Sequence, residues 1–217
     1  MKKTAVLIVV DERLLAELLA RSLAEHSLLK IGGIAGTGEE ALRLAAGVRP
    51  GLVLLGYELP GMSGLELMAP LRAAAPAARI VVLCGRLNPY VVHQVLRHDA
   101  DGCVEKRLPY EALARAVTQV LDGASVFSPG FLAVKRKYLD SADAFHKILS
   151  DREQEVLRLV ATGLSDREIA EACRISVGTV VAHRRNLRRK LDAHSDRDLL
   201  AYARQWGLGP KSAAREI

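Results

Sequence analysis

Between residues 4 and 122, five short apolar runs alternate with longer amphipathic stretches, and this rhythm constrains the fold more than any other feature. The runs are AVLIVV (5–10), LKIGGIAG (29–36), LVLL (52–55), IVVLC (80–84) and DGCVE (101–105). Helical periodicity fills the segments at about 13–26, 38–47, 64–74, 89–98 and 109–122. Strands that alternate with helices predict βαβ units, and hence a doubly wound α/β domain with a parallel five-stranded sheet covered on both faces. Reactive groups of such sheets collect at the carboxyl ends of the strands. That rule brings Val10-Asp11, Leu55-Gly56, Leu83-Cys84 and Glu105-Lys106 to one edge.

The grammar changes after residue 122. Segment 123–147 carries Gly123, a Ser-Pro-Gly triplet and mixed charges, and predicts a short helix plus linker. From 148 to 217 the pattern is helical. Ser150 with Glu153 and Ser165 with Glu168 have the S-x-x-E spacing in which each side chain satisfies the other residue's backbone N–H at a helix start. Gly163 separates these two helices, and a break at 174–176 leads into VGTVVAHRRNLRRKL (177–191), followed by SDRDLLAYARQWGL (195–208). Four short helices with a tight turn before the third predict an all-α helix-turn-helix domain.

The segment 177–191 is the strongest chemical signal. It holds Arg184, Arg185, Arg188, Arg189, Lys190 and His183, and no acid. Val177, Val180, Leu187 and Leu191 recur at helical spacing and predict a core stripe. Arg185, Arg188 and Arg189 project away from that stripe, beside Val181 and Ala182. Arginines grip phosphates and fork onto guanine, while short side chains let a helix approach base edges. A net charge of +6 is consistent with an anionic partner.

These residues carry a resemblance. LSDREQEVLRLVATGLSDREIAEACRISVGTVVAHRRNLRRKL is similar to the LuxR-type helix-turn-helix of NarL/FixJ response regulators. The match runs through Arg152-Glu153, GLSDREIA (163–170) and the Ser176, Thr179-Val180, His183, Lys190-Leu191 frame. The resemblance implies double-stranded DNA as partner, a homodimer on an inverted repeat, and Thr179, His183 and Arg185 on backbone and bases. The full candidate interface is Ser176, Thr179, Val181, Ala182, His183, Arg185, Arg188, Arg189 and Lys190. The family often has a polar residue where Val181 stands, so an apolar contact such as a thymine methyl is expected there.

Residues 4–122 resemble the same family's flavodoxin-like receiver domain, through PGLVLLGYELPGMSGLE (50–66) and DADGCVEK (99–106). Carried over by position, the receiver's acidic pair becomes Val10-Asp11 and its phosphoacceptor aspartate becomes Gly56. The phosphoryl-sensing hydroxyl becomes Cys84, the following aromatic becomes Cys103, and Lys106 is kept. Glycine offers no nucleophile, and Asp11 with Glu12 is too small a ligand set for magnesium. Three readings of the pocket stand. Lys106 and Asp11 form an ion pair in a fixed dimerisation module; a small-molecule or protein ligand enters; or Cys84 and Cys103 act as a redox pair.

The sequence thus predicts a receiver-like domain (1–122), a linker (123–147) and a DNA-binding domain (148–217). No metal, cofactor or enzyme activity is expected: the three cysteines have no zinc spacing, and the histidines form no constellation. The opening MKKTAVLIVVDER ends in charge without a cleavage site, which favours a first strand over a signal peptide. No run approaches the ~18 apolar residues of a membrane span, and free cysteines suit a reducing cytoplasmic setting. The function expected is phosphorylation-independent transcription regulation. A protein-interaction adaptor or antagonist working through the receiver face is the rival.

Overall fold

The computed structural model describes residues 3–141 and 144–208. The ends of the expected first and last domains (1–2 and 209–217) and linker positions 142–143 lie outside the described residues. The chain runs β1 (Thr4–Val9), α1 (Arg13–Ala24), β2 (Leu29–Ala35), α2 (Gly38–Val48), β3 (Leu52–Gly56), β4 (Glu58–Leu59) and β5 (Met62–Ser63). A 3-10 turn (Gly64–Leu67) follows, then α3 (Met68–Ala74), β6 (Arg79–Cys84), α4 (Pro89–Arg97), β7 (Gly102–Glu105), α5 (Tyr110–Leu121) and β8 (Val126–Phe127). After α6 (Pro129–Val134) and a π-helical turn (Lys135–Leu139) come α7 (Phe145–Ile148), α8 (Asp151–Ala161), α9 (Asp166–Cys173), α10 (Val177–Leu191) and α11 (Asp196–Trp206). Two compact units result, one of residues 1–87 with 94–133, the other of 88–93 with 134–217.

In the first unit the strands lie in the order β2-β1-β3-β6-β7-β8, all parallel. The sheet has six strands, so the expectation of five is corrected. The added strand, β8, lies in the segment read as helix and linker. It is two residues long, too short to show any alternation. Its place comes from tertiary hydrogen bonds, Val126 N–H to the Asp101 carbonyl (3.0 Å) and Ser128 N–H to the Cys103 carbonyl (3.0 Å). A second feature the sequence hid is the β4–β5 hairpin, closed through Pro60 and Gly61. Gly61 has φ of +76°, the left-handed value that a proline-glycine turn demands of its third residue.

Alternation along the buried strands sorts side chains to two faces. Val6, Ile8, Val10, Leu52, Leu54, Val81, Leu83 and Val104 meet Leu19 and Leu23 of α1 and Leu113, Val117 and Val120 of α5. Burying each such side chain stabilises the fold by about 1.5–3 kcal/mol, so the strand ends are held on a rigid support. In the second unit, α10 packs on α8 and α9, and α11 packs on α8. Val156, Leu157, Ile169, Val180, Leu187, Leu199 and Ala203 are fully buried there. Ser150, Ser165 and Ser195 each open a helix with a reciprocal side-chain cap, and Gly163 (φ +84°) turns the chain out of the α8 end.

Candidate functional site

Two places collect the candidate residues: helix α10 and the carboxyl edge of the sheet. At α10, the Ser176 hydroxyl accepts the Thr179 N–H (3.1 Å) and shares a hydrogen bond with the Thr179 hydroxyl (2.8 Å). This cap starts a 15-residue helix directly at the turn. Val180 and Leu187 are its buried stripe; of the other two expected members, Leu191 is half-buried and Val177 is 44% exposed. Val177 lies in the first turn, one helical turn before Val181, which is 51% exposed. Residues four apart stack on one face, so Val177, Val181, Arg185 and Arg189 form an outward row. Apolar side chains lead that row and cations follow.

The remaining cations divide by partner. Arg184 donates to Asp166 of α9 (2.8 Å) and to Asp196 of α11 (2.6 Å), and Arg188 donates to the other oxygen of Asp196 (2.6 Å). Burial alone would raise the Asp196 carboxyl, but hydrogen bonds from Arg188 and Arg184 outweigh it and hold the group below its usual range. Lys190 reaches the Glu153 carboxylate (2.8 Å) and the Ile148 carbonyl (3.3 Å) at the start of α8. Arg188 and Lys190, both expected on the DNA face, are therefore engaged as interhelical ties. Arg185 and Arg189 are exposed and form no ion pair among the described residues. Thr179 and Ser176 are exposed at the amino end, and Ala182 and His183 are half-buried beside the row. Val181, Arg184, Arg185 and Arg188 also line an open cleft of about 460 Å³ against Ser165 and Asp166.

Glu153, whose side chain is 5% exposed, has a consequence for pH. Burial pushes its carboxyl up, yet hydrogen bonds from Lys190 and Ser150 dominate and lower it. A lowered carboxyl contributes stability that is complete above the unfolded value, about pH 4.3, and is lost as pH falls through the folded value. The helical unit should thus weaken on acidification, and Glu153→Gln should flatten that acid limb in denaturant titrations at pH 7 and pH 3. Lys190→Met, which leaves the carboxylate without its cation, should cost about 2 kcal/mol at pH 7.

At the sheet edge, Val10, Gly56, Cys84 and Cys103 are buried and Asp11 is exposed. The expected Lys106–Asp11 pair is not formed; Lys106 Nζ lies 2.5 and 2.6 Å from the two oxygens of Glu12 instead. Glu12 is the residue immediately before α1, and its longer side chain spans the gap from the β1 end to the β7 end. Burial raises the Glu12 carboxyl, while the hydrogen bonds and charge of Lys106 bring it below its ordinary value. Gly56 is closely walled. A Cβ placed there would stand 3.3 Å from the Val9 carbonyl oxygen, 3.3 Å from that of Glu58 and 3.4 Å from Val10 Cγ1.

The Cys84 and Cys103 sulfurs are 3.4 Å apart, and both cysteines are free. Their strands are registered so that Cys84 faces Glu105 and Val82 faces Cys103, an offset of two residues. With ~3.3 Å per residue along a strand and ~4.8 Å between strands, the Cα atoms lie roughly 8 Å apart. A disulfide closes only up to about 7 Å without moving the backbone. The shared hydrogen bond, burial and the neighbouring Glu105 all push the Cys103 thiol up, away from the nucleophilic thiolate. Exposure of the native chain to hydrogen peroxide should therefore yield no Cys84–Cys103 disulfide by peptide mass mapping.

Sequence reasoning missed Glu12, Arg184, Asp166, Asp196 and Glu153 as partners. The only signal for them was position: Glu12 adjoins Asp11, while Asp166, Asp196 and Glu153 sit in first helical turns. Among the described residues no cluster of three or more metal-ligating side chains occurs, and no helix is long and apolar enough to cross a membrane.

Residues 6–118 match the response regulator receiver domain, and residues 147–203 match the luxR family of bacterial regulatory proteins. Response regulator protein VraR of Staphylococcus epidermidis is 28% identical over 203 residues, spanning 94% of this chain and 97% of its own. VraR of Staphylococcus aureus gives the same identity and coverage, 28% over 94% and 97%. Among solved structures, RcsB of Salmonella enterica serovar Typhimurium bound to promoter rprA superposes with TM-score 0.68 at 24% identity, covering 93% of this chain and 98% of that one. ChrA, the response regulator of a heme-sensing two-component system, covers 96% of this chain and 100% of its own, with TM-score 0.55 and 23% identity.

Proposed function

The chain belongs to the response regulators, with a receiver domain and a LuxR-type helix-turn-helix, and from this premise we propose that it regulates transcription as a homodimer on duplex DNA without aspartyl phosphorylation. The DNA reading rests on the outward row of α10. Arg185 and Arg189 are placed for phosphates and base edges, with Val177 and Val181 ahead of them for apolar base contacts. Two similar solved structures are of RcsB on DNA, which supports the same use of this module. Arg184, Arg188 and Lys190 act by holding α10 to α8, α9 and α11, so the reading helix is presented as a rigid body.

Phosphorylation independence rests on Gly56. Acyl phosphate formation needs a carboxylate nucleophile at that strand end, and glycine supplies none. Lys106, which would pair with a phosphoryl group, has its charge answered by Glu12. Incubation of the chain with acetyl phosphate and magnesium should leave its mass and its sedimentation unchanged. Stoichiometric phosphate on Glu58 or Asp11 would overturn the reading. Gly56→Asp should not regain phosphorylation, because its Cβ enters a space bounded by two carbonyl oxygens while Val10 still replaces an acid. Sedimentation of the chain with and without duplex DNA tests the dimer; a single monomer bound to an inverted repeat would exclude it.

A further inference from the structure

One cavity in the receiver domain is used neither by phosphorylation chemistry nor by DNA. It has a volume of about 310 Å³ and lies among α1, α5 and the ends of β6 and β7. Leu15, Leu18 and Leu19 wall one side, and Leu108 and Leu113 the other. Gly56 and Asp11 do not line it; of the residues at the former phosphorylation site, Lys106 alone borders this cavity, from the β7 end. At ~300 Å³ it reaches the lower range of pockets that enclose small organic ligands.

Its polar lining is selective. Glu105 borders the cavity, but its carboxylate is already satisfied by the Ser128 hydroxyl (2.9 Å) and by Arg107 (2.7 Å). Lys106 is the cation among the lining residues, with a side chain only 17% exposed and hence in need of an anionic partner. Glu12 fills that role from a side chain that is 50% exposed. Glu12 is not among the lining residues, but both its oxygens meet Lys106 Nζ, so the one lining cation already accepts a carboxylate. Glu12 can return to water when another carboxylate takes its place. Tyr110 adds a phenol that burial and the charges of Glu25 and Glu111 keep protonated, so it remains a hydrogen-bond donor.

We propose that this leucine-lined cavity binds a small amphiphile with an apolar body and a carboxylate head, the head displacing Glu12 from Lys106. Binding would move the ion pair that ties the start of α1 to the end of β7. It would thereby give the domain a chemical input that needs no phosphate.

Calorimetric titration of the full chain with sodium decanoate, kept below its micelle concentration, tests this, with decanol and decyltrimethylammonium as head-group controls. Saturable binding of one decanoate per chain is expected, with decanol weaker and the cationic analogue not bound. Lys106→Gln should weaken decanoate about tenfold while changing decanol little. Leu18→Glu, at a half-exposed position that tolerates charge without unfolding, should weaken both about tenfold or more. The proposal fails if no saturable heat appears, if the cationic analogue binds equally, or if neither substitution changes the affinity. It also fails if sedimentation shows a dimer that Leu18→Glu dissociates while decanoate does not bind, since a second copy then covers the cavity. None of these readouts involves DNA, so a failure here leaves the DNA-binding reading standing.

Discussion

Replacing Arg185 and Arg189 together by alanine should lower affinity for the target duplex about a hundredfold or more, without unfolding the chain. Both side chains are exposed, and neither forms an ion pair among the described residues, so their removal breaks none of the ties described above. A base-reading arginine contributes about 1–3 kcal/mol, and each phosphate no longer neutralised lowers the slope of log affinity against log salt by ~0.9. Fluorescence anisotropy across a salt series separates the two roles residue by residue. Arg185→Ala alone should weaken the preferred site more than a scrambled one if it reads a base. Arg184→Ala should behave differently: it breaks the ties to Asp166 and Asp196 and lowers the melting temperature before it alters DNA binding. An unchanged salt slope in the double variant would remove α10 from the DNA interface.

Gly64→Ala should be among the most damaging single substitutions in the receiver domain. The Cβ would stand 1.9 Å from the Gly56 carbonyl oxygen and 3.1 Å from its carbonyl carbon, where only backbone can give way. Gly64 N–H also donates to the Tyr57 carbonyl (2.8 Å), so the loop cannot lift without breaking a hydrogen bond. The expected cost is about 3 kcal/mol, a drop in Tm of roughly 10 °C. Gly47→Ala is the control. Nothing lies within 4 Å of its Cβ and it sits inside α2, so alanine should stabilise by about 0.5–1 kcal/mol through helix propensity. If Gly64→Ala melts with the wild type, the close approach over Gly56 is not a constraint on the fold.

The main architecture was legible because its signals are local. Runs such as LVLL (52–55) and IVVLC (80–84) announce buried parallel strands by composition alone, and S-x-x-E pairs announce helix starts within four residues. The strand β8 was not legible, since two residues carry no period and its pairing with β7 is settled by hydrogen bonds to Asp101 and Cys103. The candidate site split the same way. The cationic content of 177–191 was plain, but its division into outward arginines and structural ties depended on acids elsewhere in the chain. Asp166 and Asp196 lie 18 and 12 residues from Arg184, and Glu153 lies 37 from Lys190.

The sequence by itself determined the two architectures, the caps at Ser150 and Ser165, the absence of a carboxylate at position 56 and the cationic character of α10. Each is a property of residue type or of spacing within a turn or two, which chain geometry converts directly into structure. Only the tertiary structure decided that Lys106 pairs with Glu12 and not Asp11, that Arg188 and Lys190 pair with acids of neighbouring helices, and that two neighbouring thiols sit on strands offset by two residues. Those outcomes rest on distances of a few ångströms between segments far apart in the chain, and packing sets such distances after the local pattern has been used up.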